Sequence, residues 1–374
     1  MSWDNSQGQA TGQLTNPSPS LLDNVLKFMR AQGASDLHLS RGKFLARVHG
    51  ELKPLQGIPV QSAPEVVQLL STLTTKANWD HFVAKKELDC AYTTAEGDRF
   101  RVNLFVQRGQ IGAVFRSIPT EIKTLDQLGM PRQIGKLAKL NRGLVLVTGP
   151  TGSGKSTTLA ALVNEINETR AEHIMTVEDP IEFIYESKTA LINQREVGAD
   201  TETFSDALRH VLRQDPDVIL IGELRDLETI SAALTAAETG HLVFGTLHTQ
   251  DASQTIDRII DVFPPHQQAL VRTQLSTTLK GIICQNLVRT ANGNGRVAAT
   301  EILFSTPAIS NLIREGKTYQ ISSAIQGGIE AGMQSMDQSL ANLVKSQVIT
   351  AAAGMEQAHD KLSFGQLVPG VNFG

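Results

Sequence analysis

The chain of 374 residues has little cysteine, little excess charge and no long apolar run. Its two cysteines, Cys90 and Cys284, are too few and too far apart for a disulfide framework or a cysteine-rich zinc site, and they fit a reducing compartment. A net charge of -4 argues against a nucleic-acid-binding protein. With no stretch near about 18 uninterrupted apolar residues and no signal-peptide pattern at the start, we expect a soluble, cytoplasmic protein.

Length and composition predict two compact domains. Residues 1–20 are rich in Ser, Gln, Asn, Gly and Pro and have almost nothing to bury, which predicts a disordered tail. Residues 21–119 combine one short helical pattern with strand-like alternation, which predicts a small α+β domain. Residues 120–136 contain Gly129 and Pro131 and are typical of a linker.

From residue 137 to 364 the fold class is predicted to be α/β. Apolar runs such as GLVLVTG and DVILIGE alternate with helical periods, which indicates a parallel sheet covered by helices on both faces. The first of these helices places Leu159, Val163 and Ile166 on one face. A strand-like run, RVAATEILF, and three helical stretches follow, and residues 365–374 predict a flexible tail.

The segment GPTGSGKST has the pattern of a phosphate-binding loop. It follows GLVLVTG directly and opens an amphipathic helix, a context that disfavours the alternative of a chance Gly-rich turn. Its glycines let backbone N–H groups surround phosphates, and the helix N-terminus adds positive potential. Lys155 is expected to reach the β and γ phosphates, and Ser156 to bind Mg²⁺. The predicted ATP-binding residues are Gly149, Pro150, Thr151, Gly152, Ser153, Gly154, Lys155, Ser156 and Thr157.

Three further polar segments end predicted strands, where an α/β sheet gathers its ligand groups. TVEDPIE supplies Glu178, and a solvated turn is the alternative. DVILIGE ends in Glu223, but Gly222 stands where most P-loop ATPases have Asp, so Glu223 is expected to hold Mg²⁺ through water or to position the attacking water. HLVFGTLHT is flanked by His241 and His248, either of which could sense the γ-phosphate or simply pack in the fold.

These segments, in this order, resemble the Walker A, Asp box, Walker B and His box of the type II/IV secretion ATPase superfamily. The resemblance runs from about Leu21 to residue 360, because GASDLHLS, RFRVN and VFRSIP are similar to the small N-terminal domain of that family. It implies a RecA-like P-loop ATPase core, a smaller PAS-like N-terminal α+β domain and a C-terminal helical extension.

Within the superfamily the chain is most similar to pilus retraction ATPases. It lacks the extra N-terminal domain and the tetracysteine segment of many extension ATPases, and AISNLIRE at 308–315 resembles the retraction signature AIRNLIRE, with Ser310 in place of Arg. Without the family, this octapeptide is only an amphipathic helix. The resemblance implies a homo-hexameric motor that retracts type IV pili. The alternatives are an extension or type II secretion ATPase, or an accessory subunit beside a sister motor.

The resemblance also implies residue roles and partners. Glu178 becomes the general base and Glu223 the carboxylate beside Mg²⁺, without a firm ranking between them. His241 and His248 fall in the His box. Arg101 and Arg116 match segments whose arginines approach the phosphates of ATP. Arg99 and Arg108 are the alternative candidates for this role. The implied partners are an inner-membrane platform protein and a sister pilus ATPase, at the inner face of the cytoplasmic membrane.

Overall fold

The computed structural model describes residues 20–48, 51–119, 121–293 and 295–368. The chain divides into two compact units, Met1–Pro119 and Thr120–Gly374. Apart from Ser20, the predicted disordered tail lies outside the described residues. None of the helices in the described part of the chain combines the length and apolar character needed to span a bilayer.

Within its described residues, the first unit contains three helices and a six-stranded antiparallel sheet. Its helices are α1 (Leu21–Ala31), α2 (Ala63–Ser71) and α3 (Lys76–Lys85). Its strands are β1 (Ala34–Ser40), β2 (Lys43–Val48), β3 (Glu51–Pro54), β4 (Glu87–Thr93), β5 (Arg99–Gln107) and β6 (Gln110–Ser117). The strand order is β3-β2-β1-β6-β5-β4. The predicted small N-terminal α+β domain is therefore present.

Alternation and helical spacing explain the core of this unit. On β5, Phe100, Val102 and Leu104 are fully buried on one face, as strand periodicity requires. Helix α1 starts with a capping box between Ser20 and Asp23, which satisfies free N–H groups of its first turn. The buried stripe of α1 is Leu22, Val25, Leu26 and Met29. Both surfaces contribute to a single apolar cluster.

The second unit is built on a seven-stranded sheet. Its strands are β7 (Gly143–Thr148), β8 (His173–Glu178), β9 (Leu191–Glu196), β10 (Val218–Ile221), β11 (Leu242–Leu247), β12 (Leu279–Arg289) and β13 (Arg296–Phe304). The order is β13-β12-β7-β11-β10-β8-β9, and only β13 runs antiparallel to its neighbour. Strands β7 and β11 are buried at every position, because helices cover both faces. The predicted α/β fold is confirmed, although β9 and β12 escaped the sequence reading.

Helices cover the sheet on both sides. They are α4 (Lys155–Thr169), α5 (Phe204–Val211), α6 (Leu227–Glu238), α7 (Ala252–Asp261), α8 (Pro265–Thr278), α9 (Pro307–Arg314), α10 (Ile321–Gly327), α11 (Met336–Lys345), α12 (Ala351–Gln357) and α13 (Lys361–Leu367). One apolar cluster includes the buried side of α4, and a second includes residues of α5 to α10. The predicted face of α4 is buried as expected.

The segment predicted as a linker is part of the second unit. A 3-10 helix, Arg132–Lys139, begins inside the predicted linker and ends just after it. It buries Ile134 and Leu137 in the apolar cluster that includes α4. Pro131 is the N-cap of this helix, and the apolar side chains that follow it pack in the same cluster as strands β7 and β10. The description of this segment as a simple linker is therefore wrong.

The C-terminal extension is longer and more divided than predicted. Five helices, α9 to α13, follow β13 in the described residues, where the sequence indicated three helical stretches. The last three form a small cluster with Val288 and Ala299 of the sheet, centred on Leu340 and Phe364. Helix α13 continues to Leu367, so the predicted tail begins too early. The remainder of that tail, 369–374, lies outside the described residues.

Candidate active site

Four predicted segments meet at one edge of the second sheet. The phosphate-loop sequence follows β7, Glu178 ends β8, Glu223 follows β10 and His248 follows β11. These strands are parallel, so their carboxyl ends lie side by side, as expected for a ligand site in an α/β sheet. A cavity of about 200 Å³ opens there. Its lining includes Thr151, Gly152, Lys155, Ser156, Glu178, Glu223, Arg225, Thr246 and His248.

The loop before α4 has the geometry of a phosphate cradle. Lys155 Nζ donates to the carbonyl oxygens of Gly149 (2.8 Å) and Pro150 (3.1 Å), which folds the side chain across the loop. Gly154 has a φ of 89°, a backbone region that favours glycine. Burial lowers the pKa of Lys155, while the charge of Glu223 opposes this shift. Ser153 and Thr157 complete the loop and the first turn of α4, without lining the cavity.

Glu178 is held in a defined position below this loop. Its side chain is nearly buried, with 5% of the residue exposed. Oε1 accepts from Thr176 Oγ1 (2.7 Å) and Gln194 Nε2 (3.3 Å), and Oε2 accepts from the N–H of Glu182 (3.2 Å). Burial raises the pKa of Glu178, and these hydrogen bonds offset only part of the rise. The result is a carboxyl group with an enhanced affinity for a proton.

Glu223, His248 and Lys155 form a continuous polar row. His248 Nε2 lies 3.1 Å from Glu223 Oε1, and His248 Nδ1 lies 3.5 Å from Lys155 Nζ. The neutral tautomer that satisfies both contacts has Nδ1 accepting from the lysine ammonium and the proton on Nε2, facing Glu223. Burial raises the pKa of Glu223, but the hydrogen bond from Arg225 (2.6 Å) and the nearby charges lower it overall. Of the two carboxyl groups in the cavity, Glu223 therefore has the lowered pKa and Glu178 the raised one.

Gly222, which stands where most P-loop ATPases have aspartate, lies close against the backbone of Glu178. A Cβ at this position would lie 3.2 Å from the Cα of Glu178, tighter than most Cβ contacts. Its carbonyl oxygen accepts from Thr246 Oγ1 (2.5 Å), which ties β10 to β11. Direct metal ligation from position 222 is thus excluded, as the sequence indicated.

The structure does not bring His241 into this cavity. His241 precedes β11, whereas the cavity is at the carboxyl end of that strand, about 20 Å away at 3.3 Å per residue. Its Nδ1 lies 2.9 Å from the carbonyl oxygen of Ala236, at the end of α6. His241 therefore does not line this cavity, and its contact with nucleotide stays a prediction.

Of the predicted arginines, Arg101 and Arg116 lie together in the first unit. They are directly opposite each other on β5 and β6, and such pairs project from the same face of a sheet. Both side chains are exposed, and Arg116 Nε lies 2.8 Å from Asp36 Oδ1. Arg108 instead occupies the turn between these strands, with a φ of 48°. Arg99 is half-buried near the other end of β5. An approach of these arginines to phosphate stays a prediction.

Comparison with known proteins places this site in a family. A sequence model described as type II/IV secretion system protein matches residues 13–349. The chain belongs to this family. The resemblance inferred from the motifs is therefore confirmed.

Individual members of the family match along almost their whole length. The type IV pilus retraction ATPase PilT of Pseudomonas aeruginosa is 50% identical over 338 residues, covering 90% of this chain and 98% of that protein. The type IV pilus ATPase PilU of the same organism is 40% identical, covering 90% and 89%. A crystal structure of the pilus retraction motor PilT with bound ADP superposes with a TM-score of 0.85 at 45% identity, covering 91% of this chain and 97% of that one.

Three side chains in or next to the cavity were not predicted from the sequence. Arg225 could have been found, because it follows Glu223 by two residues in the segment GELRD. Thr246 lies inside the His-box segment, but nothing in the sequence indicated its bond to β10. Gln285, on the overlooked β12, contacts the phosphate loop from a position with no motif of its own. These last two contacts depend on which strands are neighbours.

Proposed function

We propose that this chain is a hexameric, ATP-hydrolysing motor that drives type IV pilus retraction. The observation that carries this proposal is end-to-end similarity to the retraction ATPase PilT, combined with an intact phosphate loop and two carboxyl groups at the same sheet edge. Relatives named for pilus assembly or type II secretion are a weaker guide, because they match 72% and 44% of the chain, whereas the pilus ATPases PilT and PilU each match 90%.

In the proposed hydrolysis, the two carboxyl groups have separate roles. Environments that push two pKa values apart identify the group that takes a proton and the group that stays charged. Glu178, with its raised pKa, orients the attacking water and accepts its proton. Glu223 remains ionised and contacts His248, and His248 in turn contacts Lys155. Phosphoryl transfer then depends mainly on positioning and on charge neutralisation by Lys155.

The same residues suit a magnesium ion bound together with ATP. Mg²⁺ in nucleotide sites is usually held by one or two protein oxygens, substrate phosphates and water. Ser156 and the ionised Glu223 both line the cavity and supply that kind of oxygen donor. Bound there, Mg²⁺ would neutralise charge on the β and γ phosphates.

We further propose that ATP binding closes the N-terminal domain onto the ATPase domain, and that hydrolysis reopens it. Arg101 and Arg116 are the cations that would approach the phosphates, since they share an exposed face of the sheet. The ring would pass this motion to a platform protein at the inner face of the cytoplasmic membrane. A sister ATPase similar to PilU is the second partner that we propose.

The first experiment is steady-state ATP hydrolysis with Mg²⁺ by the wild type and Lys155→Ala, with oligomer size measured in the same samples. Hydrolysis by a wild-type hexamer, lost in the variant, supports the motor. Lys188→Ala is a suitable control, because Lys188 forms an ion pair with Glu168 outside the cavity. A monomeric wild type without activity would favour an accessory subunit.

Retraction and extension are separated in cells. Deletion of the gene should leave excess pili that do not retract, and the Lys155→Ala allele should fail to restore retraction. A bald cell surface after deletion would contradict retraction and support an extension or secretion ATPase.

A further inference from the structure

Gln285 connects β12 to the phosphate loop through both ends of its side-chain amide. The residue is 3% exposed. Its Nε2 donates to the carbonyl oxygen of Ser153 at 2.7 Å, and its Oε1 accepts from Thr158 Oγ1 at 2.8 Å. One side chain therefore joins the end of the loop to the first turn of α4.

The backbone of β12 is equally close to the loop. Cys284 pairs with Thr148, the last residue of β7, so Gln285 lies beside Gly149. A Cβ at Gly149 would overlap the carbonyl oxygen of Gln285, and a Cβ at Gly154 would lie 2.7 Å from its Nε2. Two glycines of the phosphate loop are therefore needed for contact with β12, in addition to their contact with phosphate.

These contacts determine where a loop N–H group points. In a trans peptide the carbonyl and the following N–H point in opposite directions. With the Ser153 carbonyl held toward β12, the N–H of Gly154 points away from β12. Thr158 strengthens the arrangement, because its hydroxyl bonds to Gln285 and not to a carbonyl of its own helix, the usual partner of a helical threonine.

We propose that Gln285 is a positioning residue that holds the phosphate loop in its nucleotide-binding shape before nucleotide arrives. Only an amide of this length offers a donor to Ser153 and an acceptor to Thr158. Glutamate keeps the acceptor and loses the donor, and leucine loses both. The proposal needs nucleotide binding at the loop and does not depend on the pilus role.

The test is an equilibrium titration of the assembled full-length protein with a fluorescent ADP derivative in the presence of Mg²⁺. Gln285→Leu should weaken binding about tenfold, which corresponds to 1.4 kcal/mol. Steady-state hydrolysis should show a matching rise in KM with little change in kcat, because the lost contact supports bound substrate and transition state alike. Gln285→Glu, which preserves shape, should also weaken binding.

Asn167→Leu is the matched control. Asn167 is a fully buried amide near the far end of α4 that bridges the carbonyl of Glu186 and the N–H of Lys188. Its loss should lower thermal stability while nucleotide affinity stays within about twofold of wild type, a shift below 0.5 kcal/mol at 1.4 kcal/mol per tenfold. Equal weakening by Asn167→Leu would overturn the proposal, because the effect would then be general loosening.

Thr158 provides a second route if Gln285→Leu does not fold. Thr158→Ser keeps the hydroxyl and should bind nucleotide like the wild type, whereas Thr158→Val removes the donor and should weaken binding. Unchanged affinity in both Gln285→Glu and Thr158→Val would refute a positioning role for Gln285.

Discussion

Substituting Gly222 by the aspartate of most P-loop ATPases should damage this site. The first added atom, Cβ, would lie 3.2 Å from the Cα of Glu178 and 3.4 Å from the carbonyl oxygen of Val177. The backbone has little freedom to move aside. The N–H of Gly222 donates to the carbonyl oxygen of Val177 (2.8 Å), and the carbonyl oxygen of Gly222 accepts from Thr246 Oγ1 (2.5 Å).

The magnitude follows from these contacts. Forcing an extra group into a packed site costs about 1–3 kcal/mol. In a unit of this size each kcal/mol lowers the melting temperature by about 2–4 °C, so Gly222→Ala should melt about 2–12 °C below the wild type. Gly222→Asp adds a carboxylate beside Glu178 and disfavours its ionised form. We expect Gly222→Asp to hydrolyse ATP about tenfold more slowly than Gly222→Ala, which is equivalent to 1.36 kcal/mol in the activation barrier.

The assay compares thermal unfolding and ATP hydrolysis in both variants with Gly327→Ala. A Cβ at Gly327, the last residue of α10, would meet nothing within 4 Å. This control should match the wild type or exceed its stability by up to about 1 kcal/mol. Wild-type melting and activity in Gly222→Ala, or a gain of activity in Gly222→Asp, would refute the reasoning.

Three further predictions test other parts of the molecule. Because burial raises the pKa of Glu178, the rate of hydrolysis should fall on acidification at a higher pH than an ordinary carboxylate would give. Glu178→Gln should bind ATP without hydrolysing it. If that variant still hydrolysed ATP with the same loss of rate at low pH, Glu178 would be excluded as the base. Phe115→Ala empties a fully buried site and should cost about 3–5 kcal/mol in denaturant unfolding; a loss below about 1 kcal/mol would contradict the packing. Asp337→Ala removes the buried carboxylate that accepts from the N–H groups of His359 and Asp360, so hydrogen exchange near α13 should quicken by about tenfold or more. Unchanged exchange would contradict this role.

Local patterns predicted much of the second unit correctly. The strands β7, β8, β10 and β11 are short, mostly apolar runs, which are typical of a sheet that is covered on both faces. Strand β12 was missed because polar residues such as Gln285 and Asn286 interrupt its apolar pattern. The segment around Ile134 was misread because Gly and Pro report on backbone shape and not on burial.

The two histidines of the His box lie at opposite ends of β11, a difference that the sequence already contains. His241 precedes β11 and His248 follows it, and ligand groups gather at the carboxyl ends of parallel strands. Strand direction alone therefore favours His248. The contact of His248 with Glu223 and Lys155, in contrast, required the order of the strands.

The sequence by itself determined the phosphate loop, the α/β class and the family, because each is written in consecutive residues or in short periodic patterns. Tertiary structure decided which carboxyl group has the raised pKa, since burial of Glu178 and ion pairing of Glu223 come from different strands. It also decided that Gln285 supports a loop 132 residues away in the chain. That contact exists only because β12 lies next to β7, and strand order depends on packing of the whole sheet.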